Sequence, residues 1–482
     1  MLLSHANYLL IATAGAILLL MLLIVRVRLH PALAILISAI ALGIASGMPF
    51  RQIPGSIATG VGNLLGHVAL VLALGAVVGH LLASSGGAAA VGEGLVRRFG
   101  PRGLPLAMLL MGMLVGLPVF FEVGLVLLLP IVVSVARRTG RPAIVTGMPT
   151  LAGLSIVHGL IPPHPAAMLA VAQYHADVGR TILLGLTAGL PAALVAGPAY
   201  AWIYERWIAP HLRKKQLQKA AKAPAGSEDA GKGAATSSMA GELDADADQV
   251  AIRPRGLMAA SLFVLLLPIA LIFLGSWADW LVPAQSTLAG LNAALHLSGD
   301  PPIALLIAVL AALLLLGRLC GWSAAERLKL TQQSFAPMAT VLMILAAAGG
   351  LSRVLNDSGA AQATVDLAQR AHLSPLLLGW LLAATVRLAI GSATVAMAVT
   401  TGILAPVAAS LGTHAGFGAE LLVLATGAGS LFCSHVNDPG FWMIKEFFGL
   451  EVGETLATWS MLETILSICG LLGTLLLAAI LP

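Results

Sequence analysis

VHGLIPPHPAAM, residues 157–168, and CSHVNDPGFW, residues 433–442, are the two stretches on which the reading of this chain turns. Each sets proline, histidine and polar groups inside an apolar run long enough to cross a bilayer. Hydrocarbon cannot hydrogen-bond to freed backbone groups, so such a break survives only against protein or a water-filled cavity. Broken helices at corresponding places in two halves of a chain point to the binding site of a transporter.

The composition is that of a membrane protein. Charged residues are 10% of the chain, against about 25% in soluble domains. Hydrophobic residues are 59% and the mean hydropathy is +0.95. Gly (52) and Pro (26) are plentiful, and both are commoner in membrane helices than in soluble ones. The net charge of +5 reflects topology and carries no sign of nucleic-acid binding. Cys320, Cys433 and Cys469 form no CxxC pair, so they read as small apolar residues without a metal or redox role. The basic residues Arg26 and Arg28 follow the first apolar run, unlike the order in a cleaved signal.

The spacing predicts an all-α polytopic fold. Apolar runs lie at 8–25, 30–48, 66–84, 103–136, 143–172 and 181–207, then at 257–279, 302–319, 333–350, 375–410, 418–449 and 458–481. A crossing needs about 20 residues. The runs 103–136 and 375–410 are too long for one pass, and GLPVFFEVG (116–124) and RLAIGSATVA (387–396) interrupt them. Both read as re-entrant hairpins. Each half then holds five crossings, one hairpin and one broken helix, and an odd number of crossings inverts the second half relative to the first. An offset of 273 residues relates Ser85 to Ser358, Pro118 to Gly391 and Pro165 to Asp438. The expected organisation is an N-terminal repeat over 1–207, a flexible cytoplasmic linker over 208–256 and an inverted repeat over 257–482. The linker opens with HLRKKQLQKAAK and turns into an Ala/Gly/Ser/Asp mixture, too poor in hydrophobic residues to fold, and its basic start suits an anionic inner leaflet.

The breaks also carry the chemistry. Pro118, Pro162, Pro163, Pro165 and Pro439 can each open a half-helix, because the missing N–H of a first-turn proline would be unpaired anyway. Asp438 fits an N-cap. Gly391, Ser392 and Thr394 offer small residues, hydroxyls and free N–H groups at the second hairpin tip. Half-helix N-termini attract anions, so four such ends make a carboxylate site with few full charges. One such break would be an ordinary kink; two hairpin tips and two broken helices together form a site. Charged groups inside a membrane are costly and usually functional. Arg387 can clamp a carboxylate in bidentate fashion, or pair with Glu122 or Asp438. Glu122 and Asp438 are the proton-carrier candidates, Glu122 because of its apolar neighbours. His158, His164 and His435 can bind substrate hydroxyls or move protons, and Ser434 and Asn437 complete the polar set in the second break. Glu205 and Glu463 are expected at membrane ends. No metal or nucleophile constellation occurs, and no cofactor is implied.

At GLPVFFEVGLVLLLP (116–130), HGLIPPHPAAMLA (158–170), GSATVA (391–396) and SHVNDPGFW (434–442) the sequence resembles the gluconate:proton symporter (GntP) family of bacterial inner-membrane permeases, part of the ion transporter superfamily. The resemblance implies hairpin-containing inverted repeats, often dimeric, with one domain able to move as an elevator. It also implies proton-driven uptake of gluconate or a related small hydroxy acid, with D-serine among the substrates of some members. It carries the site onto Gly116–Gly124, His158–Pro165, Gly391–Ala396 and Ser434–Pro439.

Two other readings stand beside symport. Na⁺-coupled carboxylate transport would use carbonyls freed at the breaks. A membrane-embedded enzyme would need a nucleophile–base or metal set, and the sequence offers none; it also lacks the GxxxxGK[ST] pattern of primary active transport.

The Lys/Arg distribution supports the two hairpins. With the N-terminus outside, only Arg51, Arg180, Arg353 and Arg370 fall outside and Arg387 within the membrane, leaving 21 of the 26 basic residues inside, as the positive-inside rule requires. Single cysteines at positions 100 and 140, in a background without Cys320, Cys433 and Cys469, are therefore expected to react with impermeant thiol reagents from the cytoplasmic face alone. Labelling of the two from opposite faces refutes the first hairpin.

Overall fold

Helix follows helix in the computed structural model, and no strand occurs among the described residues, which are 5–210, 254–282, 288–335, 338–363, 366, 374–411 and 416–481. The linker expected over 208–256 falls almost wholly outside them. The first half runs α1 (His5–Val25), α2 (Pro31–Ala45), α3 (Ile53–Ser84), α4 (Gly87–Phe99), α5 (Leu104–Gly116), α6 (Phe121–Thr139), α7 (Ala143–Leu160), α8 (Pro165–Tyr174) and α9 (Val178–Ile208). The second runs α10 (Leu257–Ser276), a single turn at Ala278–Leu281, α11 (Ala289–Gly299), α12 (Pro301–Leu319), α13 (Ala324–Gln333), α14 (Met338–Asp357), α15 (Pro375–Ile390), α16 (Ala393–Leu411), α17 (Gly418–Ser430), α18 (Pro439–Phe447) and α19 (Val452–Ile480). Seven of these helices are long and apolar enough to cross a membrane, or eight with α3, which bends by 42° between Gly66 and Val68.

The chain breaks where the sequence breaks. The turn between α5 and α6 spans 117–120, and that between α15 and α16 is Gly391-Ser392. The gap between α7 and α8 is 161–164, and that between α17 and α18 is 431–438. Pro165 and Pro439 open α8 and α18 at the first turn, where no N–H is missed. Pro118 instead lies inside the turn, two residues before the N-cap of α6 at Phe120. Pro162 and Pro163 also stay in the turn, joined by a cis peptide bond.

Several elements escape a reading by hydropathy. The helices α4 and α13 are amphipathic, with Arg97 and Arg98 in the last turn of α4 and a Ser323/Glu326 capping box starting α13. At 13 and 10 residues both are too short to cross a membrane. The helix α3 starts thirteen residues before the expected 66, because Ser56, Thr59 and Asn63 dilute its first turns without breaking them. The helix α19 starts at Val452 rather than 458, its polar first turn closed by Glu451 and Glu454.

The central helices are α7 and α17. Residues 144–160 of α7 and 419–430 of α17 are all buried, whereas α1 shows much of its length to the surroundings. Glycine lets them meet backbone to backbone. A Cβ on Gly427 would lie 2.1 Å from the Gly159 carbonyl oxygen, and one on Gly153 would lie 2.3 Å from that of Leu109 in α5. Such small-residue contacts replace the hydrophobic effect as the packing force between helices in lipid. Around this core α5 packs on α7, α15 on α17, and α9 on α19. The pair α3 and α14 forms a second seam, close at Gly60 and Gly349 and tied by Ser56 Oγ to Asp357 Oδ2 at 2.7 Å.

Gly427→Ala tests the α7–α17 contact. Overpacking against backbone costs about 1–3 kcal/mol, so the variant is expected to unfold at lower temperature in detergent. Gly15→Ala, which meets nothing within 4 Å, is expected to unfold like the parent protein.

Candidate functional site

All four interruptions of the chain converge on one region of the fold. A cavity of about 110 Å³ is lined by Phe121 and Glu122 at the start of α6, and by Ser155 and His158 near the end of α7. Arg387 in the last turn of α15 and Ser392 and Thr394 at the start of α16 close another side. Leu431, Asp438 and Gly440 come from the α17–α18 region, and Trp459 and Glu463 from α19. Three helix N-termini, those of α6, α16 and α18, therefore end on the cavity. Their first N–H groups lack intrahelical acceptors and favour negative charge. A wider cleft of about 850 Å³, holding Arg141 and Glu205 as an ion pair at 3.0 Å, lies at the other end of α18 beside Phe448.

The α15–α16 turn is locked onto the α17–α18 gap by sequence-specific contacts. Gly391 ends α15 in the left-handed conformation, φ +82°, and a Cβ there would lie 2.3 Å from the Asn437 carbonyl oxygen. Only glycine meets both demands without strain. Asn437 Nδ2 donates to the Leu388 carbonyl oxygen at 2.7 Å, and His435 Nε2 lies 3.1 Å from the same atom. His435 and Asn437 thus hold two breaks together and do not line the cavity. Ser434 acts in the same frame: its hydroxyl donates to Asp438 and accepts from Trp459 Nε1 at 2.7 Å, and its carbonyl accepts from the Ser460 hydroxyl. Ser392 Oγ accepts from the Val395 N–H at 3.4 Å and caps α16.

The charge at the centre is one buried ion pair. Arg387 Nη2 donates to Asp438 Oδ2 at 2.5 Å, with the arginine side chain 4% exposed. Asp438 Oδ1 accepts from the Gly440 N–H at 2.8 Å and caps α18. Of the partners open to Arg387 in the sequence, Asp438 is the one it takes. Among the described residues its buried Nε has no hydrogen-bond partner. Removing one member of such a buried pair costs about 3–5 kcal/mol, because the other is left uncompensated.

The histidines divide between the cavity and its backing. His158 lines the cavity. His164 lies behind it, fully buried, with ring centroids 4.3 Å apart and Phe120 edge-on at 5.9 Å. His164 Nδ1 accepts from the Ala166 N–H at 3.3 Å and caps α8, which fixes that nitrogen as the unprotonated one. His158 Nδ1 and His164 Nε2 have no partner. Pro162 shapes the α7–α8 turn and, like Gly391, does not line the cavity.

Five lining residues lie outside the segments and residues read from the sequence: Ser155, Leu431, Gly440, Trp459 and Glu463. Glu463 was expected at a membrane end. It lies eleven residues past the start of α19, 1% exposed, with Oε1 unpartnered. The missing signal was the start of α19: polar Glu451 and Glu454 read as a loop, which placed Glu463 near a boundary it does not occupy. Among the described residues no three His, Cys, Asp or Glu side chains converge as metal ligands.

Comparison with known proteins agrees with the geometry. The model of the GntP family of permeases matches residues 8–480. The chain is 41% identical over 482 residues to the gluconate permease of Pseudomonas aeruginosa, covering 99% of each chain. It is 36% identical over 468 residues to the high-affinity gluconate transporter of Escherichia coli K12, covering 97% of this chain and 99% of that one. It is 32% identical over 465 residues to the D-serine transporter DsdX of the same organism, covering 96% and 97%. Among solved structures, the YdaH transporter of Alcanivorax borkumensis shares the fold, with a TM-score of 0.63 at 19% identity over 94% of this chain and 98% of that one. With its family matched from end to end and its helices long and apolar enough to cross a bilayer repeatedly, this chain is a multi-pass membrane protein and belongs to the GntP family of permeases.

Proposed function

We propose that this chain is a secondary active transporter that brings gluconate, or a closely related small sugar acid, into a bacterial cell together with protons across the inner membrane. The observation that carries the reading is the match along the whole chain to gluconate permeases, joined to a cavity built for a polyhydroxy carboxylate. Such a substrate needs one positive partner and several weak donors and acceptors. Arg387 is the cation, with its Nε free. Ser155, Ser392, Thr394 and His158 supply side chains that exchange hydrogen bonds with sugar hydroxyls. The N-terminus of α16 adds backbone N–H donors aimed at an anion. In the empty site Asp438 satisfies Arg387; an incoming carboxylate competes with it.

That competition couples a proton to the substrate. Two carboxylates on one buried guanidinium leave an excess negative charge, which a closed site accepts only with a proton. Glu122 and Asp438, both on the cavity wall, are the carriers read from the sequence.

Alternating access comes from two halves related as inverted repeats, 1–207 and 257–482. The 273-residue offset brings α2 onto α12, α5 onto α15, α6 onto α16, α7 onto α17, α8 onto α18 and α9 onto α19. The packing recurs as well: α2 lies on α14 as α12 lies on α3, and α1 on α2 as α10 on α12. The turn at Ala278–Leu281 and α11 are an insertion in the second half. A homodimer holding one half of each copy still while the other moves completes the reading.

The D-serine relative favours one second reading, transport of a small amino acid. A panel of small carboxylates competing against labelled gluconate uptake, with and without Na⁺, separates the two. Gluconate is expected to compete best, D-serine poorly, and Na⁺ to change nothing; stimulation by Na⁺ refutes the proton reading. Arg387→Ala is expected to weaken gluconate binding by about 1.5–3 kcal/mol, or about ten- to a hundredfold. Arg387→Lys should lose less, keeping the charge without the planar fork. Normal binding by both variants in folded protein removes Arg387 from the site.

A further inference from the structure

Three carboxyl groups reach the cavity, and their surroundings differ. Asp438 is committed: it holds Arg387, accepts from Ser434 and caps α18. Glu122, in the first turn of α6, is the least enclosed by protein of the three. Glu463 is different from both. It is 1% exposed, lines the cavity with Ser155 and, among the described residues, forms no ion pair and leaves Oε1 without a hydrogen-bond partner. It lies three residues past the end of a π-helical turn, Leu456–Ser460, an irregularity that often marks functional sites.

The groups facing Glu463 make the charge balance explicit. At the cavity these are Glu122 of α6, His158 of α7, Arg387 of α15 and Asp438 at the start of α18. On the other helices packed against α19, Glu420 begins α17 and Arg180 lies near the start of α9, where Glu420 accepts from the Asp177 N–H at 3.2 Å, away from the cavity. Among the described residues, Arg387 is thus the one full positive charge on the cavity wall. Asp438 already neutralises it, so a substrate anion beside an ionised Glu463 would leave two uncompensated negative charges, and a proton on Glu463 removes one of them.

We infer that Glu463, rather than Glu122 or Asp438, is the carboxyl that carries the coupled proton, taking it up as the substrate anion enters and releasing it as the anion leaves. The inference rests on the proton-symport reading above. Each cycle moves one proton and one substrate carboxylate together: the Glu463 carboxylate gains a proton from the outer aqueous phase and returns it to the inner one. Arg387 stays charged and passes from Asp438 to the substrate carboxylate and back.

The test is made on the full chain in proteoliposomes with labelled gluconate. A gradient of one pH unit sustains about tenfold accumulation at one proton per anion. Glu463→Gln, which keeps the shape of the neutral acid, is expected to exchange labelled for unlabelled gluconate yet reach no accumulation above equilibration and take up no protons when gluconate is added. Glu463→Asp is expected to restore accumulation with a displaced pH profile. Wild-type accumulation in Glu463→Gln overturns the inference. So does loss of exchange in a monodisperse variant, which would make Glu463 a binding or packing residue. If Glu122→Gln alone abolishes accumulation, the carrier is Glu122 and proton symport survives. If the parent protein itself shows no pH-driven accumulation, the symport reading fails and the inference falls with it.

Discussion

Backbone hydrogen bonding in hydrocarbon is the constraint from which the rest of this structure follows. An unpaired N–H or C=O there costs several kcal/mol, so a helix broken inside the membrane must find partners for its freed ends. In this protein the ends find one another. Asp438 caps α18, His164 caps α8 and Ser392 caps α16. Asn437 and His435 satisfy the Leu388 carbonyl at the end of α15. A cavity with polar walls is what remains between four ends that satisfy each other only in part.

The close helix contacts serve the same purpose. Gly159 against Gly427, Gly153 against α5 and Gly391 against Asn437 bring backbones near enough for the breaks to share partners. Bulkier residues at these places would separate α7 from α17 and expose the freed groups. The glycine content of the chain is therefore as much about polar satisfaction as about packing.

Function draws on the imbalance left at the centre. One guanidinium, one committed aspartate and a second, unpaired buried acid cannot all hold their charges while an anion is bound. In the proposed symport, binding of an anion and binding of a proton are linked through Arg387, and linkage of this kind acts in both directions. In the same proposal, sugar hydroxyls add selectivity through Ser392, Thr394 and His158 without altering the charge balance.

The sequence alone determined the membrane class, the positions of the four breaks and the Asp438 cap, because these are local: hydropathy, missing N–H groups and short-range capping act within a few residues. It also marked Arg387 as a costly group in lipid. The amphipathic α4 and α13 stayed hidden, since their charge masks them in a hydropathy reading. Only the tertiary structure decided which side chains face the cavity. His158 faces it and His164 backs it; Asp438 faces it and Asn437 fastens it. Arg387 chose Asp438, 51 residues away, because the α15–α16 turn docks on the α17–α18 gap. Glu463 became a buried acid because α19 begins earlier than its apolar residues do, and depth in a membrane is set by where a whole helix packs, a quantity no local pattern carries.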